Sequence, residues 1–100
     1  MADPARRLVV AQQLGANLRR LRVKAGLSRD ELVGLADVGH GHISRIERGE
    51  LVCRVDTLVK LAGALEATPD DLLAGVSWRP RAGRSGDFES RSPGGRGDAG

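Results

Sequence analysis

The chain has 100 residues, enough for one domain, and its content of 40% hydrophobic and 29% charged residues is typical of a small globular protein. One cysteine and two histidines are too few for an internal disulfide or for a zinc site with four ligands, and the net charge is only +3. No apolar run approaches the roughly 18 to 20 residues of a membrane span, and no signal-peptide hydrophobic region follows the N-terminus. We therefore expect a cytoplasmic protein with no membrane partner.

An apolar stripe near the start of the chain predicts the first helix. Its members recur at intervals of three and four residues, which places them on one helical face. They are Val10, Leu14, Leu18 and Leu21. Gly26 follows as a stop signal, and Ser28 and Glu31 then match a capping box. We expect the second helix from Arg29 to about Ala36.

Three more short helices are expected before the composition changes. The third covers about residues 40–48 and ends at Gly49, and the fourth covers about residues 55–66. Thr68 and Pro69, followed by two acidic residues, form the start signal of the fifth. No stretch alternates strongly enough to predict a strand, so we expect an all-α fold.

Residues 77–100 differ from the rest of the chain. They hold six Gly, five Arg, four Ser and two Pro, and their large hydrophobic residues are Trp78 and Phe88. Such a composition buries too little apolar surface to offset the entropy lost on ordering. We therefore expect a helical domain over residues 1–76 and a flexible tail over residues 77–100, disordered from about Arg79 onward.

The charge is unevenly placed along the chain. Residues 1–48 hold nine basic and five acidic residues, whereas residues 49–76 hold two basic and five acidic residues. A basic half beside an acidic half suits a polyanionic partner, although a solvated charged surface is the more common explanation.

The sequence does not support a catalytic role. His40 and His42 lie two residues apart, so they point to different sides of a helix and cannot form a metal pair. Cys53 lies in a predicted loop without a triad pattern, and the acidic pairs at 30–31 and 70–71 are explained by helix starts. We expect no enzyme, no cofactor and no bound metal.

The second and third predicted helices have the spacing of a helix-turn-helix motif, with the turn near Asp37. In this motif the second helix lies in the major groove of DNA, and its first half contacts base edges. The polar positions there are His40, Gly41, Ser44 and Arg45, while Ile43 and Ile46 face inward. Arg45 is the best candidate to read a base, because its guanidinium group matches the two major-groove acceptors of guanine.

A longer signature surrounds this motif and extends over roughly residues 12–75. It comprises Leu27–Leu32, Val38, Ile43–Gly49, Asp56–Leu65 and Thr68–Leu73. Together these segments resemble the Xre/Cro-type, phage-repressor-like helix-turn-helix family. The resemblance implies a lambda-repressor-like fold of five helices that binds a double-stranded DNA operator as a homodimer, often as a repressor.

The resemblance also implies roles for individual side chains. It places His40, Gly41 and Arg45 where base-reading side chains lie, and it places Arg29, Arg48 and the backbone amides near residues 48–50 next to phosphates. Further candidates for phosphate contacts are Arg22, Ser28 and His42. The resemblance pairs Arg22 with Glu47 as a brace between the first and third helices; the alternative is an exposed ion pair worth about 0–1 kcal/mol. Gly41 departs from the family pattern because it offers no side chain to a base. Specificity then depends on Arg45, His40 and the shape of the DNA.

Dimers of this family often use the loop before the fourth helix and the last helix. Apolar candidates there are Leu51, Val52, Val76 and Trp78. An equal alternative for Trp78 is that it covers the core of its own chain. We expect Cys53 to be a reduced thiol rather than part of a disulfide between subunits.

Two functions remain open from the sequence. The leading hypothesis is a sequence-specific transcriptional regulator, a dimeric repressor that reads the major groove with its third helix. The alternative is a protein-interaction module with the same fold, antitoxin-like or bound to the transcription machinery. The glycine on the reading face and the acidic segment 49–76 support the alternative.

Overall fold

In the computed structural model, the described residues 4–91 form five α-helices and a two-stranded antiparallel sheet. The helices are α1 (Pro4–Lys24), α2 (Arg29–Ala36), α3 (His40–Glu47), α4 (Val55–Ala64) and α5 (Pro69–Leu72). The strands are β1 (Val76–Arg81) and β2 (Arg84–Ser90). The prediction of five helices is confirmed. Within the described range, no helix has both the length and the apolar composition needed to cross a membrane.

Helices α2 and α5 each begin with a capping box, in which two residues exchange side-chain-to-backbone hydrogen bonds. The Ser28 hydroxyl accepts a hydrogen bond from the amide of Glu31 at 3.0 Å, and the Glu31 carboxylate accepts one from the amide of Ser28 at 2.8 Å. Thr68 and Asp71 make the same pair of bonds at α5, with Pro69 in the first helical position. Each cap satisfies backbone amides that have no partner within the helix.

Among residues 4–91, two residues other than glycine take the left-handed conformation, and each follows the end of a helix. Asp37 has φ of 57°, and its amide donates to the carbonyl of Val33 at 3.0 Å. Aspartate tolerates this conformation better than most residues, which allows the tight turn from α2 into α3. Glu66 has φ of 54°, so α4 ends at Ala64, earlier than the expected residue 66.

The core is aliphatic and draws on all five helices. The large aliphatic side chains that are fully buried are Leu14, Leu18, Leu32, Ile43, Ile46, Leu61 and Leu72. Leu14, Leu18 and Leu21 of the stripe expected on the first helix therefore meet the inward isoleucines of the third helix in one cluster, which is continuous with buried residues of α4. Val10, the first member of the expected stripe, is half-buried outside this cluster.

A buried polar side chain joins α1 to the end of α5. Asn17 is 1% exposed, and its Nδ2 donates to the carbonyls of Leu72 at 2.8 Å and Ala74 at 2.9 Å. Its Oδ1 accepts from Nε2 of Gln13 at 3.0 Å. These bonds satisfy the amide of Asn17 and two carbonyls at a helix end, all of which are costly to bury unpaired.

The backbones of α1 and α3 come into direct contact at Gly15. A Cβ atom at this position would lie 2.3 Å from the carbonyl oxygen of Ile46 and 2.9 Å from that of Glu47. Only glycine lets the two helices approach this closely, because any side chain would overlap the α3 backbone. Gly49, with φ of 75°, lies against the backbone of Gln12 on the preceding turn of α1.

A β-hairpin follows the helices where the sequence predicted a flexible tail. Trp78 and Phe88 face each other across the two strands, with ring centroids 4.9 Å apart in an edge-to-face arrangement. The guanidinium carbon of Arg6 lies 5.2 Å from the Trp78 ring, and Arg6 Nη2 donates to the carbonyl of Gly86 at 2.6 Å. These contacts attach the hairpin to the first turns of α1.

The expectations of an all-α fold and of disorder from about Arg79 onward are therefore wrong for residues 76–90. Composition suggested disorder because the segment has few apolar residues, but its two aromatic rings meet across the strands, and Arg6 of α1 lies against the ring of Trp78. Two ion pairs on the outer face join Arg79 with Glu89 and Arg81 with Asp87. The rest of the expected tail, residues 92–100, lies outside the described residues.

We expect Gly15→Ala to lower the free energy of unfolding by about 1–3 kcal/mol, because the added methyl group must push α1 and α3 apart. Urea unfolding followed by circular dichroism measures this change. Gly63→Ala is the matched control, since nothing lies within 4 Å of a Cβ atom at that exposed helical position. The free energy of unfolding of Gly63→Ala should rise by up to about 1 kcal/mol, because alanine has a higher helix propensity than glycine. Equal stabilities of the two variants would contradict the role given to Gly15.

Candidate nucleic-acid interface

Helix α3 buries one face and presents the other to solvent. Ile43 and Ile46 are 0% exposed, so the apolar face is fixed in the core. Of the four predicted base-reading residues, His40, Gly41 and Arg45 are exposed and Ser44 is half-buried. Nothing lies within 4 Å of a Cβ atom built on Gly41, so this part of the helix surface is open. The structure therefore places the predicted reading residues on the free side of α3.

A single carboxylate fixes the end of α3 to α1 and α2. The side chain of Glu47 is only 2% exposed, and it accepts hydrogen bonds from Arg22 Nε at 2.6 Å and Arg22 Nη2 at 3.1 Å. Arg29 Nε, at the start of α2, donates to the same carboxylate at 3.1 Å. Arg22 Nη1 also donates to the carbonyl of Leu27 at 2.8 Å. The two residues that the resemblance paired are thus in contact, and three segments meet at one group.

The electrostatics of this brace keep it charged. Burial by itself would raise the pKa of Glu47, but the hydrogen bonds and positive charges of Arg22 and Arg29 outweigh burial, and the pKa lies below its usual value. The hydrogen bond to Glu47 likewise raises the pKa of Arg22. The brace therefore remains an ion pair at neutral pH.

The predicted phosphate-contacting residues fall into two groups. Arg22 has an 11% exposed side chain, and its three guanidinium nitrogens all bond within the protein. Arg29 donates its Nε to Glu47, but its side chain is 43% exposed and reaches solvent. Ser28, His42 and Arg48 are exposed as well. Arg22 is thus a structural residue, while the other four lie at the surface.

An acidic residue accompanies each end of the reading surface. At the first turn of α3, His40 Nε2 lies 3.3 Å from the carboxylate of Asp30 on α2, and both side chains are exposed. Within the described range, no group of three or more His, Cys, Asp or Glu residues is arranged to hold a metal ion. The contact places His40, one of the predicted base-reading residues, next to the carboxylate of Asp30.

At the other end of α3, Glu50 contacts two of the predicted DNA-binding arginines. Its carboxylate accepts a hydrogen bond from Arg48 Nε at 2.6 Å, and Arg45 Nε lies 3.6 Å away. The hydrogen bond from Arg48, more than any other cause, holds the pKa of Glu50 below its usual value. Sequence reasoning missed the side chain of Glu50; the available signal was an acidic residue directly after the glycine that ends the helix.

A basic groove between α1 and the end of α3 adjoins this surface. It has a volume of about 690 Å³, and it is lined by Gln12, Ala16, Arg19, Arg20, Val23, Lys24, Glu47, Arg48 and Gly49. Four of these residues are basic, so the groove extends the positive surface away from the reading helix. Sequence reasoning did not single out Arg19 or Lys24, because their nearness to α3 depends on how the helices pack.

The four dimer candidates lie in two different places. Leu51 and Val52 are in the loop after α3, where they line a shallow hollow together with Leu8 of α1. Val76 and Trp78 belong to β1. Trp78 contacts Phe88 and Arg6 of its own chain and is still 47% exposed.

Cys53 lies in the same loop as Leu51 and Val52 and is half-buried. Its burial raises the pKa of the thiol above its usual value. At neutral pH the protonated thiol therefore predominates, and this form is a poor nucleophile.

Comparisons with known proteins agree with this geometry. A family model described as a helix-turn-helix domain matches residues 13–74. Over 66 residues the chain is 35% identical to the HTH-type transcriptional regulator DdrOP3 of Deinococcus deserti, and the match covers 66% of this chain and 51% of that regulator. The matched region thus spans about half the length of this curated relative.

Two solved structures are similar over the helical part. The restriction-modification controller protein C.AhdI from Aeromonas hydrophila is 32% identical, with a TM-score of 0.60, over 62% of this chain and 94% of that chain. The P22 c2 repressor protein, solved in complex with a synthetic operator, is 32% identical, with a TM-score of 0.58, over the same shares of the two chains.

We expect Glu47→Gln to lower the free energy of unfolding at pH 7 by about 1–3 kcal/mol, because it removes the charge that two arginines share. The folded-state pKa of Glu47 is lowered, so the advantage of the native chain is present at neutral pH. It should disappear as the pH falls from about 4.3, the usual pKa of glutamic acid, through the lower folded value. Urea unfolding of both chains across this range tests the expectation, and a difference that does not depend on pH would contradict it.

Proposed function

Because the chain belongs to the Xre/Cro-type helix-turn-helix family of transcriptional regulators, we propose that it binds a specific DNA operator through α3 and thereby represses transcription. The resemblance inferred from the sequence is confirmed at the level of the family. The observation that carries the proposal is the exposed polar face of α3, with Arg45 on it, on a helix whose other face is buried. The P22 c2 repressor protein, which has a similar fold, has been solved in complex with a synthetic operator.

In the proposed complex, base edges in the major groove are read by the exposed residues of α3. Arg45 recognises a guanine through its guanidinium group, His40 and Ser44 add weaker or water-mediated contacts, and Gly41 lets the helix approach closely. A reading surface with so few donors relies in addition on the shape of the DNA.

Phosphate contacts fix the position of α3 in the groove. We assign them to four surface residues, Ser28, Arg29, His42 and Arg48. Arg22 is assigned to the brace with Glu47 alone, because its guanidinium nitrogens are all used within the protein. The basic groove between α1 and α3 adds long-range attraction for the DNA backbone.

The proposed active form is a homodimer on two half-sites. A single module of this size makes few base contacts, and two linked modules gain affinity because the second binding event is intramolecular. The shallow hollow at Leu51 and Val52 and the exposed part of Trp78 are the candidate contacts between subunits.

A second candidate function is the protein-interaction module, whose partner would be a toxin or a subunit of the transcription machinery. The observation that favours it is an apolar surface formed by α2 and α4. Leu35 is 61% exposed and Val59 is 52% exposed, and both line a shallow groove with Lys60 and Gly63. Adjacent exposed apolar side chains are typical of protein contacts. Purification of the chain from its native cells with one stoichiometric partner, together with no sequence preference on DNA, would favour this function.

Selection of bound duplexes from a random DNA library tests the leading proposal. With the full chain at near-physiological salt, we expect enrichment of an inverted repeat whose half-sites lie about 34 Å apart. The affinity should fall steeply as salt is raised, because phosphate contacts release counterions. No enrichment from a chain that circular dichroism shows to be folded would contradict the proposal.

Arg45→Ala should weaken binding to the selected operator by about 10- to 100-fold, the size of one guanine contact. Binding to a scrambled duplex should fall only several-fold, because it loses the attraction of one positive charge but no base contact. Fluorescence anisotropy titrations on both duplexes give the specificity ratio. Arg79→Ala is the matched control, because it removes the same charge from an exposed ion pair on the hairpin and should leave the ratio unchanged. Equal losses on both duplexes in Arg45→Ala would argue against base reading by this residue.

A further inference from the structure

The end of α3 places Glu50 beside Arg45 through the backbone. The amide of Gly49 donates to the carbonyl of Ile46 at 2.9 Å, and the amide of Glu50 donates to the carbonyl of Arg45 at 3.0 Å. With Gly49 at φ of 75°, this is the Schellman arrangement of a helix end. The position of Glu50 relative to Arg45 is therefore fixed by the fold and does not depend on a flexible loop.

The contact between the side chains leaves the reading end of Arg45 available. Its Nε lies 3.6 Å from Oε1 of Glu50, and Glu50 is held from the other side by Arg48 Nε at 2.6 Å. Among the described residues, no hydrogen bond occupies the two terminal nitrogens of Arg45. These two nitrogens have the spacing that matches N7 and O6 of guanine.

Glu50 is poorly explained by the stability of α3. A negative charge next to the C-terminus of a helix opposes the helix dipole, so a carboxylate at this position is unfavourable for the helix itself. It also lies next to the surface that the proposed function places against DNA phosphates, which it repels. Its side chain is 44% exposed, so burial of apolar surface gives no compensating reason, and an exposed ion pair such as the one with Arg48 stabilises a fold only weakly.

We propose that Glu50 is a positioning residue that sets the DNA specificity of this chain by orienting Arg45 for a guanine, while its negative charge weakens binding to all DNA. This inference rests on the proposed function. On the correct site, the Arg45–guanine contact offsets the repulsion between Glu50 and the phosphates. On any other sequence, the repulsion is the same but the guanine contact is missing, and binding is weaker.

Glu50→Gln tests both parts of this role. It removes the charge and weakens the hold on Arg45, so binding to a scrambled duplex should become several-fold tighter while binding to the operator does not improve. The specificity ratio should fall on the order of tenfold, the scale of one oriented guanine contact. Anisotropy titrations at one fixed salt concentration measure both affinities, and circular dichroism checks that the variant is folded.

Two further variants separate orientation from charge. Glu50→Asp keeps the charge but shortens the reach to Arg45, so the ratio should fall while binding to the scrambled duplex stays as in the native chain. Glu89→Gln removes a carboxylate from a comparable arginine pair on the hairpin and should leave the ratio unchanged.

The double variant Arg45→Ala, Glu50→Gln asks whether Glu50 acts through Arg45. Its specificity ratio should equal that of Arg45→Ala alone. A tenfold fall that persists without Arg45, or an equal gain of affinity on both duplexes in Glu50→Gln, would overturn the inference and leave the proposed function intact. A folded native chain that selects no operator would overturn both.

Discussion

The contact between α1 and the last turn of α3 determines the shape of the proposed reading surface. At Gly15 the two backbones come so close that no side chain fits between them, and Gly49 meets α1 on the preceding turn. Next to this contact, Glu47 shares its carboxylate between Arg22 and Arg29. The depth of α3 is therefore set by a steric limit, and its direction is set by an ion pair, so the exposed half of the helix projects at a defined angle.

Burying a carboxylate has a cost that the two arginines offset only if their geometry is maintained. The main effect of this ion pair is to fix the position of α3; its contribution to the stability of the fold is secondary. Glu47 ties the end of α3 to α1 and to the beginning of α2, and Arg22 extends the tie to the turn between them at Leu27. A base contact tolerates displacements of well under 1 Å, so a helix that reads bases benefits from such support more than a helix that only packs.

Local signals in the sequence were sufficient to predict the helices. The capping residues Ser28 and Glu31 are only three residues apart, so their hydrogen bonds can be predicted from the local sequence alone. The hairpin was missed, because the contact between Trp78 and Phe88 forms only after the chain reverses, and composition alone does not reveal it. The side chain of Glu50 was missed for a related reason: the end of α3 brings it beside Arg45, and this depends on the backbone geometry at the preceding residue, Gly49.

The position of Trp78 gives this chain a built-in optical reporter. It is the single tryptophan, and it lies on the hairpin against Phe88 and Arg6, outside the helical core. Its fluorescence therefore follows the docking of the hairpin onto α1, whereas far-ultraviolet circular dichroism follows the five helices. If the hairpin undocks before the helices melt, the two signals separate along a denaturant titration. The chain then contains two cooperative units, a condition under which a single unfolding free energy no longer describes it.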